Sequence, residues 1–431
     1  MSQLHGPVRV MRAGPFSCLR VTARVRFGVA APNGESMASS IVYRGVGPRI
    51  AYERRIHGLT QDDLARAAGV ALGTIRKIER GERGASDAVL TALADALDID
   101  PTRMLPGTER PDERVHQAMP GLSAVLAQYE APADGPCRDL PALGDAVATA
   151  IAHRLNAQYS RIARTAPALL TELCRALHTA TPAHRPAVAR LLVDACRAAD
   201  AVAFKRGAKD LSARLIDLMR WAAPQAHDPL LDATVAYVRT EVFFSARTHA
   251  VGLRALEQAL DNASRSAQPG ALAVRGALHM RAAVVAGRAG NGNAAVDHLD
   301  DARALGDRLQ EGIYQGTAFG PDSVRVHEVS VAVSLGDDYL GRALQLAREW
   351  KPPRELPAER RSGFYIELGR AQLWSGRPDA AFESLKVARR IAPQHAREHR
   401  WVREDAATLR RLKRADAESL SNFAEWCHAS S

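Results

Sequence analysis

The strongest constraint on this chain is the stretch from residue 61 to 80, where two short amphipathic segments are joined through a single glycine. Apolar groups fall at Leu64, Ala68, Val70, Ile75 and Ile78, with small Ala65 where two helices must cross closely. Gly69 stands at the corner, where a tight helix-to-helix turn needs a residue that tolerates positive φ. Thr60 and Asp63 have the spacing of a capping box, with Asp in place of the usual Glu or Gln. Upstream, VGPRIAYERRIHG reads as a helix closed by Gly58. In the second segment, which runs from 71 to about 80, Ile75 and Ile78 point inward. Leu72, Arg76, Lys77 and Arg80 then project from the other side. Three of those four are cationic. Arg or Lys suits guanine O6 and N7 in a major groove, and Leu72 can cover a thymine methyl. Arg83, just past the helix, is placed for a phosphate.

LTQDDLARAAGVALGTIRKIERGER, residues 59–83, and the following SDAVLTALADALDID resemble the Xre family of lambda-repressor-like transcriptional regulators, over residues 46–107. The resemblance implies a five-helix domain that binds double-stranded DNA, its third helix entering the major groove. It assigns Gln61 to a phosphate, and Leu72, Gly73, Arg76 and Lys77 to the exposed reading positions. Ala71, Thr74, Arg80 and Arg83 complete the candidate DNA-binding set. It also pairs Arg54 with Glu79 in a buried ion pair. Two positions depart from the family. Ala71 stands where Ser or Thr would cap the third helix, which costs about 1 kcal/mol of helix end, and Ala85 replaces a common proline.

The net charge of +10 adds little to this reading, because residues 46–110 carry ten basic and ten acidic side chains. Residues 1–36 hold five arginines against one glutamate and lack a sustained period. With Met37 just before the patterned domain, residues 1–45 are expected to be a disordered extension or the product of an upstream start-codon misassignment. The five cysteines form no CxxC pair, which fits a reducing cytosol. The most apolar stretches fall short of the 18 or more residues of a membrane span. A cytoplasmic, nucleoid-associated protein with no membrane partner is expected. Proline and glycine crowd residues 106–140 around a short helical candidate at 123–128, so 108–140 reads as a linker.

Beyond it, alanine- and leucine-rich segments alternate with short Gly, Pro or Asp breaks, and the fold class expected is all-α. Residues 362–395 place Tyr365, Leu368 and Gly369 on one helix, Gly376 at a turn, Ala381, Leu385 and Ala388 on the next, and Pro393 at the end. Residues 276–309 repeat the spacing with Ala283, Gly290, Ala295, Leu299 and Ala302. Weaker copies lie around 207–224, 252–259 and 325–350, the last with an insertion at 336–341. The spacing resembles the tetratricopeptide repeat. It implies five to seven helix pairs over 141–431, stacked as an α-solenoid whose first helices line a concave face. The offsets put Arg197, Phe204, Tyr237, Glu241, Phe244, Met280, Ile366, Arg370 and Leu373 on that face. Aromatics plus arginines suit a peptide carboxylate. Equally, the aromatics could be inter-repeat core and the arginines a solvated rim.

His395, Glu398 and His399 match the HxxEH pattern of inverted zinc proteases, but Arg397, Arg400 and Arg403 around them repel a cation. GxSxG, P-loop and GxGxxG motifs are absent, so no catalytic residue, metal or cofactor is expected. Residues 389–414 carry net +6 and read as a solvated capping helix. The combination resembles bacterial regulators, peptide-sensing ones among them. It implies a homodimeric transcriptional regulator whose helical repeats sense a peptide, a small molecule or a protein partner. The alternative is a repeat scaffold whose helix-turn-helix no longer reads DNA.

Overall fold

The structure, a computed structural model, describes residues 42–43, 46–97, 99, 104, 111–412 and 417–429. Its N-terminal unit holds α1 (Gly47–Ile56), α2 (Gln61–Ala68), α3 (Leu72–Glu79) and α4 (Asp87–Ala96) around one core that includes Ile50, Leu64, Ile75, Ile78, Leu90 and Leu93. Both bonds of the capping box form. The Thr60 amide donates to Asp63 Oδ2 at 3.0 Å, and the Asp63 amide donates to Thr60 Oγ1 at 3.1 Å. Gly69 ends α2 at φ 64°. Gly47 is needed for a different reason, since a Cβ there would overlap the Ile78 carbonyl where α1 crosses α3.

The fifth helix expected before residue 107 falls largely outside the described residues, although Ile99 and Met104 are buried in the same core. The unit also starts before the expected boundary at 46. β1 (Val42–Tyr43) pairs antiparallel with β2 (Ala85–Ser86), so two residues assigned to the extension belong to the domain. A proline at 85 would bring no N–H to such a pair.

Most of the expected linker is helical. α5 (Pro111–Gln128) continues through Pro120 and Gly121, and it packs Leu122, Val125 and Leu126 into the second core. Gly121 sits close against Pro167, leaving little room for a side chain.

Six helix pairs follow: α6 (Leu140–Leu155) with α7 (Tyr159–Thr179), α8 (Arg185–Lys205) with α9 (Lys209–Ala222), and α10 (Pro229–Ala246) with α11 (His249–Asn262); then α12 (Pro269–Arg288) with α13 (Gly292–Gly306), α14 (Pro321–Leu335) with α15 (Asp337–Glu349), and α16 (Ala358–Trp374) with α17 (Pro378–Ile391). The first helix of each pair packs on the first helix of the next, from α6 through α8, α10, α12 and α14 to α16. The array curls until α16 also touches α6. Polar contacts hold that seam: Tyr159 Oη donates to Glu359 Oε1 at 3.2 Å, and Lys205 Nζ lies 3.3 Å from the same oxygen. α18 (Pro393–Glu398), α19 (Arg400–Leu412) and α20 (Ala417–Trp426) close the far end over a core containing Val402, Leu409 and Phe423.

Within the array, a hairpin also departs from the all-helical expectation. Between α13 and α14 a hairpin of β3 (Gly312–Tyr314) and β4 (Thr317–Phe319) turns through Gln315 and Gly316, at φ 47° and 67°, the left-handed pair that a two-residue hairpin turn favours. Arg197 Nη1 donates to the Gln315 carbonyl at 2.8 Å, Arg197 Nη2 donates to Thr317 Oγ1 at 2.7 Å, and Arg154 donates to the Gly316 carbonyl. Phe319 is buried against α12 at Gly276, where any Cβ would overlap the ring. The insertion expected at 336–341 is absent from that place: Gly336 joins α14 directly to α15, and Gly341 lies inside α15. Among the described residues no helix is long and apolar enough to cross a membrane.

Candidate nucleic-acid interface and effector cavity

α3 is fixed from behind and open in front. Ile75 and Ile78 are buried, while Arg76, Lys77 and Arg80 are exposed, as are Ala71 and Gly73 before them and Arg83 beyond. Leu72 and Thr74 are half-buried. Arg80 Nε lies 3.2 Å from Glu82 Oε1, whereas Arg76 and Lys77 form no ion pair with any described residue. No side-chain cap bond closes the start of α3 at Ala71, which leaves the amides of its first turn without a capping acceptor.

Behind α3, Arg54 and Glu79 form a two-pronged ion pair, Nε to Oε1 at 2.7 Å and Nη2 to Oε2 at 2.9 Å. Burial pushes the Glu79 carboxyl up, but Arg54 and Gln61 together hold it below the usual carboxylate range. Gln61 Nε2 donates to Glu79 Oε2 at 2.8 Å, so its side chain braces this pair and would reach a phosphate only by leaving it.

A second site lies inside the array, a cavity of about 250 Å³. Arg197, Phe204, Tyr237, Glu241 and Phe244, all expected on the concave face, line it. So do residues the offsets missed, among them Arg154, Arg281, Arg288, His327, Arg360 and Glu367. The cations converge on one tyrosine. Arg360 Nη2 donates to Tyr237 Oη at 3.1 Å, the Arg281 guanidinium stacks 4.2 Å from the centre of the Tyr237 ring, and Arg197 lies 5.7 Å from it. Burial alone would push that phenol up, but Arg281, Arg360 and Arg197 outweigh it and bring it down, to about 7. Glu367 goes the other way, pushed up to about 7 by burial against the pull of Arg288 and Arg370. Arg154 Nε, Arg281 Nε, Glu241 Oε2 and Glu367 Oε2 are buried with no hydrogen-bond partner among the described residues. Unpaired buried polar atoms cost free energy, and a site that retains several is poised to exchange them for a ligand's groups.

Four residues expected on the concave face lie elsewhere. Met280 is fully buried among apolar side chains, because one residue along a helix is a rotation of about 100° and it is its neighbour Arg281 that faces the cavity. Ile366 and Leu373 belong to the core under the end helices. Arg370 is turned to α19, where it donates to Asp405 Oδ1 at 2.9 Å and Glu404 Oε2 at 2.7 Å and stacks over Trp401. The HxxEH residues are likewise engaged: His395 Nε2 lies 3.2 Å from Lys205 Nζ, and Glu398 pairs with Arg206 at 3.2 Å. Burial, with Lys205 adding to it, pushes His395 down to about 3.

A larger cleft, about 910 Å³, opens between the two units, lined by Tyr52, His57 and Asp95 on one side and Arg161, Lys386 and Arg389 on the other. Among its charged groups, Glu383 and Lys386 pair with each other at 2.7 Å. The smaller cavity concentrates buried charge and so has the stronger chemical character.

The family profile HTH_3, described as helix-turn-helix, matches residues 50–103, which contain most of α1 and all of α2, α3 and α4. An uncharacterized HTH-type transcriptional regulator of Bacillus subtilis, YazB, is 37% identical over 60 residues, 14% of this chain and 87% of the relative. The chain belongs to the helix-turn-helix family. Among solved structures, Bacillus thuringiensis PlcR in complex with the peptide PapR7 and DNA is similar at 16% identity and a TM-score of 0.27, over 61% of this chain and 95% of that one.

Proposed function

We propose that this chain is a sequence-specific DNA-binding transcriptional regulator, that α3 reads the operator, and that the cavity in the helical array binds the effector that sets operator affinity. The observation that carries the reading is α3 itself. A family helix presents Arg76 and Lys77 in solvent without ion-pair partners among the described residues, above a core that fixes its orientation. Ala71, Leu72, Gly73 and Thr74 bring the first turn of α3 to the bases, Arg76 and Lys77 supply the bidentate contacts, and Arg80 and Arg83 reach phosphates, joined by Gln61 once it leaves Glu79. One small reading helix binds weakly, so the chain acts as a homodimer on two half-sites about one helical turn apart.

The effector is a compact anionic molecule. A cavity of about 250 Å³ is too small for an extended peptide, and its arginines converge at Tyr237. The β3–β4 hairpin occupies part of the concave space. Binding there changes the spacing of the two readers through the curvature of the array, a coupling that works equally in both directions.

The test is a titration of purified protein with duplex operator at several salt concentrations. Affinity is expected to fall by about 10³-fold to 10⁵-fold between 50 and 200 mM salt if six to ten phosphates are contacted. An affinity that ignores salt, or a single protomer bound per operator, contradicts the reading.

A further inference from the structure

His279 on α12 and His298 on α13 face each other between the two helices of one pair, with their Nδ1 atoms 3.1 Å apart. Asp301, three residues after His298 and so on the same face of α13, brings Oδ2 to 3.5 Å from His279 Nδ1. The three ligand atoms all lie within 4.8 Å of one another. A tetrahedral cation with ligands at roughly 2.0 to 2.1 Å keeps them about 3.3 Å apart, and the two measured edges fall on either side of that figure.

On the far side of the His298 ring, Glu257 of α11 places Oε1 3.9 Å from Nε2. A carboxylate behind the second ring nitrogen is how a metal-binding histidine is commonly oriented. His279 is buried, so its ring is held in place between the two helices.

We propose that His279, His298 and Asp301 bind one divalent transition metal of the zinc class, with Glu257 supporting His298 and water completing the coordination. Two imidazoles with one carboxylate suit zinc, whereas calcium and magnesium take shells of oxygen. The site ties α12 to α13 and, through Glu257, reaches back to the preceding pair. It lies outside the cavity and does not depend on DNA reading.

The test uses the full chain without an affinity tag, stripped with a chelator and then given zinc or cobalt(II). One equivalent of zinc should survive gel filtration, cobalt should show a tetrahedral visible spectrum without a thiolate band, and zinc should raise the thermal midpoint. His298→Ala and Asp301→Asn, at a half-buried and an exposed position, should abolish the cobalt spectrum, and Glu257→Gln should weaken zinc about 10-fold to 100-fold. Retention of less than one equivalent by the unaltered chain overturns the site and leaves a histidine–histidine hydrogen bond. A cobalt spectrum unchanged in folded His298→Ala overturns it equally. If the variants do not fold, the stoichiometry and spectrum of the unaltered chain decide.

Discussion

On α3, Arg76 and Lys77 stand in water on a helix whose other face is apolar, whereas in the helical array Arg154, Arg197, Arg281 and Arg360 are enclosed beside Glu241, Glu359 and Glu367. The first arrangement costs the free protein little, because exposed cations keep their hydration until a polyanion displaces their counterions. The second is expensive, since each enclosed ion gives up water and regains only part of the loss from its neighbours. Exposed, unpaired cations suit a partner larger than the domain. Enclosed cations with spare donors suit a partner small enough to enter. One chain thus carries two cationic sites whose surroundings sort them by the size of the anion each can meet.

If that contrast holds, damage to one unit should leave the other working. Glu79→Ala strands Arg54 in the small N-terminal core and should cost that unit about 3 to 5 kcal/mol, read as an early thermal transition while the array melts where it did. A single transition that shifts as a whole would show that the units are not independent. Gly276→Ala drives a methyl into Phe319 and should destabilise the array by about 1 to 3 kcal/mol. The isolated operator contact should persist at temperatures below the new transition. Arg76→Ala should leave stability unchanged and remove about 1 to 3 kcal/mol of discrimination at one base pair, measured as operator affinity against a single-base variant.

A further expected effect is a titration. With Tyr237 near 7 in the folded chain and near 10 when unfolded, the folded state has released a proton that the unfolded state still holds between those values. Stability should therefore rise with pH across that window, and the contribution should be lost as pH falls through about 7. One of the eight tyrosines should show tyrosinate absorbance near neutral pH, and Tyr237→Phe should remove it.

What the sequence disclosed follows the range of the interactions involved. The capping box of Thr60 and Asp63, the Gly69 corner and the inward isoleucines of α3 are local signals, and all three stand in the structure. The Arg54–Glu79 pair spans 25 residues and was legible only through resemblance to a family. In the array, Arg197, Tyr237 and Glu241 on α8 and α10 were legible from the offsets of the clearest repeats. On the helices of those clearest repeats themselves, α12 and α16, the cavity is faced by Arg281 and Glu367, each one residue beyond the assigned Met280 and Ile366. Arg370 escapes because its partners come from α19, an element outside the repeat. The hairpin carried a signal that a search for helical periodicity passes over: Gln315-Gly316 flanked by Ile313-Tyr314 and Ala318-Phe319 is a two-residue turn between alternating strands.

The decisive measurement is selection of bound sequences from a pool of random duplex DNA, run in parallel with the unaltered chain and with a folded Arg76→Ala, Lys77→Ala variant. Recovery of one preferred site, bound at least about 10³-fold more tightly than random duplex, with that preference lost in the variant, is the predicted result. Random duplex that displaces the unaltered chain as readily as its best selected sequence would contradict it.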